Sequence, residues 1–403
     1  RDQQLSRAHF SLAPAGERFL LRDEGSRNGV FLKGKRLELG LEVDSGALIR
    51  AGGCLFVVVP DLGEITPPGV AEDPSFAGRF TAEGLLHRLR VAARTGRHVL
   101  VEGESGTGKE LAAEVLHRTY VELGRGGDYI AHNAALFAGE DDAIGGLFGV
   151  TKGAFTGVAS RTGLLELAHG GTLFLDEIHA VPLRVQQSLL RFVEDGRISP
   201  LGQSGSKDRK QVDVRLVFGT NVDIESACDE GLLAHDLVAR LRLVSIPPLR
   251  DRPVDIPSIF LKILTAELDE GSCRRVMEAL TARVVERLCL HGYERGNVRV
   301  LQDIVAVLAA RIHEGEEPGE ALGLAIDEAL DEVPSRGRQT ETEGEPESDY
   351  DRHREDIIEL YEELGGNLTK LKKVLNERGI SASRRWLAIY LERWGVRVIR
   401  KRQ

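Results

Sequence analysis

Apolar and polar residues alternate in short runs at the start of the chain, over 8–12, 18–21, 30–32, 47–49 and 55–59. A period of two turns one face of each run toward a core, so these runs read as strands. Turn chemistry separates them: Ala15-Gly16, Arg27-Asn28-Gly29, Lys33-Gly34 and Gly52-Gly53. The pattern predicts a small antiparallel β-domain over 1–60. Pro60, Pro67, Pro68 and Pro74 then mark a linker over 61–75. From residue 76 helical periodicity alternates with short apolar strands, clearest at 99–101, 172–175 and 216–219. That alternation predicts a parallel sheet flanked by helices over 76–246. After Ile246-Pro247-Pro248 the strands stop, and 247–313 reads as a smaller all-helical lid. The tail over 350–403 carries three apolar helix faces: Leu360, Tyr361 and Leu364; Leu368, Leu371 and Leu375; Leu387, Tyr390, Leu391 and Trp394. The short turn Arg378-Gly379-Ile380 between the last two predicts a helix-turn-helix.

Charge changes this picture only at the C-terminal end. The 403 residues carry a net −10, which argues against a generally basic nucleic-acid binder. Residues 314–349 hold thirteen acidic side chains against two arginines, and so read as an acidic linker whose first half, 318–332, has helical periodicity. From 367 to 403 there are eleven Lys and Arg against two Glu, so positive charge concentrates on the predicted helix-turn-helix. No run is long and apolar enough to span a bilayer. The four scattered cysteines, Cys54, Cys228, Cys273 and Cys289, have no paired metal spacing. A cytoplasmic protein is expected. The chain opens on Arg1 without Met, as expected of a fragment.

Two stretches carry chemistry. Gly103-Glu104-Ser105-Gly106-Thr107-Gly108-Lys109-Glu110 lies between an apolar run and a helical run, with the spacing of a phosphate-binding loop. Small residues let several backbone N–H groups face one anion, and the helix N-terminus adds a favourable dipole. Lys109 supplies a point charge to the β/γ-phosphates, and Glu110 stands where Ser or Thr usually helps hold magnesium. The strand at 172–175 ends in Asp176-Glu177, at the end of a sheet where a nucleotide binds. Asp176 suits Mg2+, and Glu177 suits orienting or deprotonating an attacking water. Two acids after a strand also suit a plain helix N-terminus.

At this point the chain resembles the bacterial enhancer-binding proteins, the AAA+ activators of sigma-54 RNA polymerase. The phosphate loop is that family's version, Glu110 included. Gly153-Ala154-Phe155-Thr156-Gly157-Val158 closely matches its Gly-Ala-Phe-Thr-Gly-Ala signature and follows Leu147-Phe148-Gly149. The likeness continues through Gln187-Ser188-Leu189-Leu190-Arg191, Thr220-Asn221, Ile246-Pro247-Pro248-Leu249-Arg250 and Gly296-Asn297-Val298-Arg299, and covers about 240 residues. It implies ATP as substrate. It implies Asn133 as the switch for Glu177, Thr220 and Asn221 as sensor I, Arg299 as sensor II, and Arg240 as an arginine finger acting on the next subunit of a hexameric ring. Such a finger is worth ~10³ or more in rate. Phe155 and Thr156 would tip a loop that touches sigma-54. The pattern is departed from at four places: Val158 replaces a final Ala, Ala234 a first arginine, Glu294-Arg295 a Trp-Pro, and Gly145-Gly146 a Ser-Glu.

The ends carry resemblances of their own. Ser6-Arg7-Ala8-His9 and Ser26-Arg27-Asn28-Gly29 match the motifs of a forkhead-associated (FHA) domain, a phosphothreonine-peptide reader. Ser6, Arg7, Arg27 and Asn28 are thereby the candidate phosphopeptide residues, with His9 bracing the loop. The donors are those a phosphate needs. The family's earlier Gly-Arg and first strands are absent, so an N-terminally truncated β-sandwich is expected. The same Arg-Asn-Gly would also serve as a simple hairpin turn. The tail resembles a Fis-type DNA-binding domain through Gly365-Gly366-Asn367 and 381–387, with Leu371 where that family has Ala. Ser383, Arg384 and Arg385 would approach the major groove. Lys370, Lys372, Lys373, Arg397, Arg400, Lys401 and Arg402 would meet phosphates.

The resulting expectation is multidomain. A truncated FHA-like β-sandwich precedes an AAA+ α/β P-loop domain with an all-α lid, and a three-helix helix-turn-helix follows. The function expected is an ATPase that binds upstream DNA and remodels sigma-54 RNA polymerase under phosphothreonine control. The alternative is a signal-dependent DNA-binding scaffold with a decayed ATPase, in which ATP only sets the oligomeric state.

Overall fold

Alternation in the first 58 residues folds into seven short strands: β1 (Phe10–Ala15), β2 (Arg18–Asp23), β3 (Val30–Leu32), β4 (Lys35–Arg36), β5 (Leu41–Val43), β6 (Leu48–Ala51) and β7 (Cys54–Val57). In this computed structural model the described residues are 2–58, 76–77, 82–151, 160–202, 209–294, 296–331, 354–364 and 368–377, with Leu387 and Leu391. The strands form two antiparallel sheets, in the orders β1-β2-β5 and β4-β3-β6-β7. Leu21, Val30, Val43, Ile49 and Val58 fill the space between them. Phe10 of one sheet and Phe56 of the other meet edge-on, with ring centroids 5.2 Å apart. Strands β4 and β5 go beyond the sequence expectation. Lys35 and Arg36 are both exposed and carry no apolar period, and in β5 only Val43 turns inward.

The next layer is a parallel α/β sheet. Its elements run α1 (Ala82–Arg94), β8 (Val99–Glu102), α2 (Lys109–Glu122), β9 (Tyr129–Asn133), α3 (Glu140–Phe148), α4 (Leu164–Leu167), β10 (Thr172–Asp176), α5 (Leu183–Asp195), β11 (Arg197–Ile198), β12 (Lys210–Gln211), β13 (Arg215–Thr220), α6 (Ile224–Asp229), α7 (His235–Arg240) and β14 (Arg242–Ser245). Five strands form one sheet in the order β14-β8-β13-β10-β9, every pair parallel. Residues alternate across it. Val99 and Val101 face α1 and α2, where Leu85, Leu89, Leu116 and Tyr120 cover them. Leu100, Leu173 and Phe218 face the other way, onto Leu147, Leu189 and Phe192. Truncating a fully buried aromatic such as Phe218 to Ala would cost about 3–5 kcal/mol.

Helices α8 (Ile256–Glu267), α9 (Glu270–Ala279), α10 (Ala282–Leu290), α11 (Val298–His313) and α12 (Pro318–Asp331) form the lid. Its core holds Phe260, Leu264, Val276, Leu301, Ile304 and Leu308. The lid reaches further than the sequence reading, which ends it at 313. Helix α12 buries Ala321, Leu322, Ala325 and Ile326 in the same core, so the acidic surface of 314–331 hides an apolar stripe.

The chain divides into two units, Arg1–Val333 and Pro334–Gln403. In the second, α13 (Arg354–Glu363) and α14 (Leu368–Glu377) are helical as the periodicity predicts. Ile357, Leu360, Tyr361, Leu371 and Leu375 pack with Leu387 and Leu391, two helical residues one turn apart. Among the described residues no helix is long and apolar enough to cross a membrane.

Candidate functional site

The phosphate-loop sequence occupies the connection from β8 to α2. Gly108, in the left-handed region at φ 101°, opens the helix. Lys109 is 7% exposed. Its Nζ donates to the carbonyl oxygens of Gly103 (2.9 Å) and Glu104 (3.2 Å). Burial pushes the Lys109 ammonium below its ordinary pKa, and the charges of Asp176 and Glu177 oppose that shift. A cationic side chain held over loop carbonyls is ready to trade them for a phosphate.

Parallel strands bring the other candidates to the same end of the sheet. Asp176 is the last residue of β10, in register with Asn133 on β9. Thr220 ends β13, and its carbonyl accepts from Gly103 N at 3.0 Å. Asp176 Oδ1 accepts from Glu177 N at 3.0 Å, and Glu177 sits in the left-handed region at φ 55°. Gly219, beside Thr220, leaves room for the Asp176 carboxylate: a Cβ there would fall 2.2 Å from Oδ1. Asn133 uses its Oδ1 to accept from Ala135 N at 2.9 Å, capping a short turn. His179, which the sequence reading passed over, places Nδ1 3.2 Å from the Thr220 hydroxyl.

A cavity of about 730 Å³ gathers most of these groups, though Thr220 and His179 do not line it. Lys109, Glu110, Asn133, Asp176, Glu177 and Arg299 give it polar lining, and Phe76, Ile259, Ile263 and Val298 apolar lining. That mixture suits a ligand with both aromatic and anionic parts. Asn221 faces both this cavity and a smaller one of about 560 Å³ that Glu104, Glu294 and Arg299 also line. Among the described residues no group of three His, Cys, Asp or Glu could hold a metal by itself. The oxygen donors Asp176, Glu177 and Glu110 suit magnesium shared with phosphates, the usual way this ion is held.

The lid is fastened to the loop by residues the sequence reading did not single out for it. Asn297, fully buried at φ 50°, donates through Nδ2 to Glu104 Oε2 (3.2 Å) and Ser105 O (3.0 Å). Its Oδ1 accepts from Leu249 N at 2.7 Å. Arg250 bonds the Glu104 carboxylate twice and thereby holds its pKa below the usual range, with burial opposing. Arg252 Nη2 reaches Thr107 O at 3.0 Å, and Arg299 Nη1 reaches Ser105 Oγ at 3.0 Å. Gly106, at φ 77°, is pressed so close that a Cβ would lie 1.9 Å from Gly296 O. All these lid residues but Arg252 lie within the two matched stretches 246–250 and 296–299, the only signal the sequence offered.

The remaining candidates lie apart from the cavity. Arg240 ends α7 and pairs with Glu194 at 3.0 Å, and it lines neither cavity. Ala234, where a first arginine is expected, caps the start of α7 and donates its N–H to Gln186 Oε1. The sigma-54 candidates Gly153, Ala154, Phe155, Thr156, Gly157 and Val158 lie outside the described residues, as do Ser383, Arg384 and Arg385. Lys370 and Lys373 are exposed on α14.

In the β-domain, Ser6 N donates to His9 Nδ1 at 2.9 Å, which puts the His9 proton on Nε2, 3.1 Å from Gly29 O. Ser6 Oγ accepts from Arg27 N at 3.4 Å. Ser6, Arg27 and Asn28 therefore meet at one edge. The Asn28 amide donates to Gln4 O at 2.7 Å. Arg7 is exposed beside them.

Residues 79–247 match the sigma-54 interaction domain. Residues 1–52 match the FHA domain. The sigma-54 interaction domain match thus spans the phosphate loop, Asp176, Glu177 and Arg240. The chain is 39% identical over 233 residues to a Nif-specific regulatory protein of Azorhizobium caulinodans, covering 57% of this chain and 36% of that one. It is 36% identical over 242 residues to the Sigma54-dependent transcriptional activator SfnR of Pseudomonas putida, covering 59% and 61%. The chain spans about half the length of such curated relatives. The structure of NtrX from Brucella abortus in complex with ATP aligns at 25% identity and a TM-score of 0.48, covering 83% of this chain and 70% of that one.

Proposed function

We propose that this chain is an ATP-driven regulator of sigma-54 RNA polymerase. The observation that carries the reading is the convergence of Lys109, Asp176, Glu177 and Asn133, all inside the stretch that matches the sigma-54 interaction domain, on one cavity. Lys109 would neutralise the β/γ-phosphate oxygens, and the loop N–H groups would cradle them. Glu177 would orient the attacking water and accept its proton, with Asn133 beside it as the switch. Magnesium, held by Asp176 and the phosphates, would supply charge neutralisation on the transferred group. Thr220 and Asn221 would sense the γ-phosphate as sensor I, and Arg299 would do so from the lid. Arg240 would act on the nucleotide of the next subunit, which makes assembly into a ring, expected to be hexameric, a condition for turnover.

One central loop and the two ends would connect the regulator to its partners. The loop 153–158 would touch sigma-54. Ser6, Arg7, Arg27 and Asn28 would take a phosphothreonine peptide. Lys370, Lys373, Ser383, Arg384 and Arg385 would bind upstream DNA as part of a helix-turn-helix, the lysines on phosphates.

A second reading, ATP binding without turnover, is favoured by Ala234 in place of an arginine and by the pairing of Arg240 with Glu194. ATP turnover measured against protein concentration, with and without sigma-54, separates the two. Turnover that rises with assembly and is lost in Glu177→Gln supports the remodeller. Flat, negligible turnover at every concentration leaves only the binding protein.

A further inference from the structure

The β-domain and the lid share one core. Leu48 of β6 is buried among the lid residues, and Leu55 and Val57 of β7 pack against the same cluster. At the centre of this contact Arg50 Nε donates to Glu286 Oε2 on α10 at 2.5 Å, with 14% of the arginine and 4% of the glutamate side chain exposed. The second carboxylate oxygen accepts from Gly34 N at 3.2 Å, in the β3–β4 turn. The Arg50 guanidinium in turn lies 3.8 Å over the Phe31 ring. Both oxygens of a buried lid carboxylate are thus held by groups of the β-domain. If one partner were lost while the domains stay docked, the other would be an uncompensated buried charge, a strongly unfavourable state. The pair ties the position of α10 to the seating of the β-domain.

That position reaches the phosphate loop in a few bonds. Helix α10 ends at Leu290, and the carbonyl of Leu288 accepts from the buried Tyr293 hydroxyl at 2.8 Å. Tyr293 O accepts from Asn297 N at 3.2 Å. Asn297 is the residue that grips Glu104 and Ser105.

We propose that the β-domain is the outer wall of the nucleotide lid, and that its seating through Arg50 and Glu286 sets Asn297 on the phosphate loop. Loosening the β-domain then weakens nucleotide binding. This rests on the reading of the cavity as a nucleotide site. It gives the phosphopeptide-reading domain a direct mechanical route to that site, one that needs no other subunit.

The test uses the whole chain and a double-mutant cycle of Arg50→Met and Glu286→Leu. Two readouts are taken: calorimetric titration with Mg-ATP, and hydrogen exchange over 30–36 and 282–290. Each single variant is expected to raise exchange in both segments and the ATP dissociation constant at least about fivefold. The double variant should recover most of both, because an apolar pair can replace a buried ion pair without loss. Glu286→Gln, a milder change, should show the same direction if Glu286→Leu fails to fold. Unchanged ATP affinity in variants whose exchange has risen overturns the coupling alone. A double variant as impaired as the two singles combined overturns the pairing. A wild-type chain that binds no ATP overturns the nucleotide reading and the coupling with it, and exchange in the single variants then still reports whether the β-domain is docked through this pair.

Discussion

Arg250 grips Glu104 with both terminal guanidinium nitrogens, Nη1 to Oε2 at 2.8 Å and Nη2 to Oε1 at 2.5 Å. A lysine cannot reproduce this fork. The pair is about one third exposed, so solvent screening leaves it worth about 1 kcal/mol. Arg250→Lys is therefore expected to loosen the loop and weaken Mg-ATP binding about fivefold, read by calorimetric titration. Affinity equal to wild type would mean that the loop holds its shape without the Arg250 fork.

Gly219→Ala addresses Asp176 without touching it. The added Cβ would meet Oδ1 at 2.2 Å and must displace the carboxylate. Overpacking of this kind costs about 1–3 kcal/mol. A fall of a few degrees in Tm is expected, with a larger proportional loss in magnesium-dependent ATP binding. If magnesium dependence is preserved, Asp176 is not the residue that holds the ion.

Arg240 should matter to turnover and to little else. Its pair with Glu194 has side chains 58% and 42% exposed, a setting in which ion pairs contribute little. Arg240→Ala is expected to leave Tm and ATP affinity near wild type and to lower turnover by ~10³. Steady-state phosphate release across a concentration series checks this. A variant that turns over at the wild-type rate would remove Arg240 from the chemistry.

His98 gives the fold an acid-sensitive element. Burial, reinforced by the Arg215 charge, lowers its pKa to about 4, and its Nδ1 accepts from Leu216 N at 3.0 Å. The unfolded chain takes up the proton near pH 6.5, whereas the folded chain resists until about 4. The unfolded state therefore binds more protons between those values, and stability falls as pH drops through that window. The loss amounts to about 3 kcal/mol in all. Denaturant midpoints between pH 4 and 7.5 should show this slope, and His98→Gln should flatten it.

How much of this was readable beforehand depends on where each residue sits. Strands β8, β10 and β13 are central and covered on both faces, so Val99-Leu100-Val101 and Leu173-Phe174-Leu175 read as continuous apolar runs. Strands β9 and β14 form the two edges of the same sheet, and Tyr129–Asn133 and Arg242–Ser245 are too polar to stand out. Lys109, Asp176 and Glu177 could be placed together because a parallel sheet puts the ends of its strands on one side. The helical periodicity of α12 was legible over 318–332, but its acidic surface hid its place in the lid core. The grip of Asn297 on Glu104 spans 193 residues, and that of Arg50 on Glu286 spans 236. Contacts at such separations leave no local pattern, since each partner is an ordinary polar residue in its own neighbourhood.

The left-handed backbone at Glu177 has a consequence for any attempt to stabilise this protein. A side chain at φ 55° costs about 1 kcal/mol relative to glycine. Selection for heat resistance alone would favour Glu177→Gly, and would delete the carboxylate proposed to activate water. Stability and chemistry are set against each other at that one position. Variants selected only for a higher Tm are expected to converge there on a well-folded, silent protein.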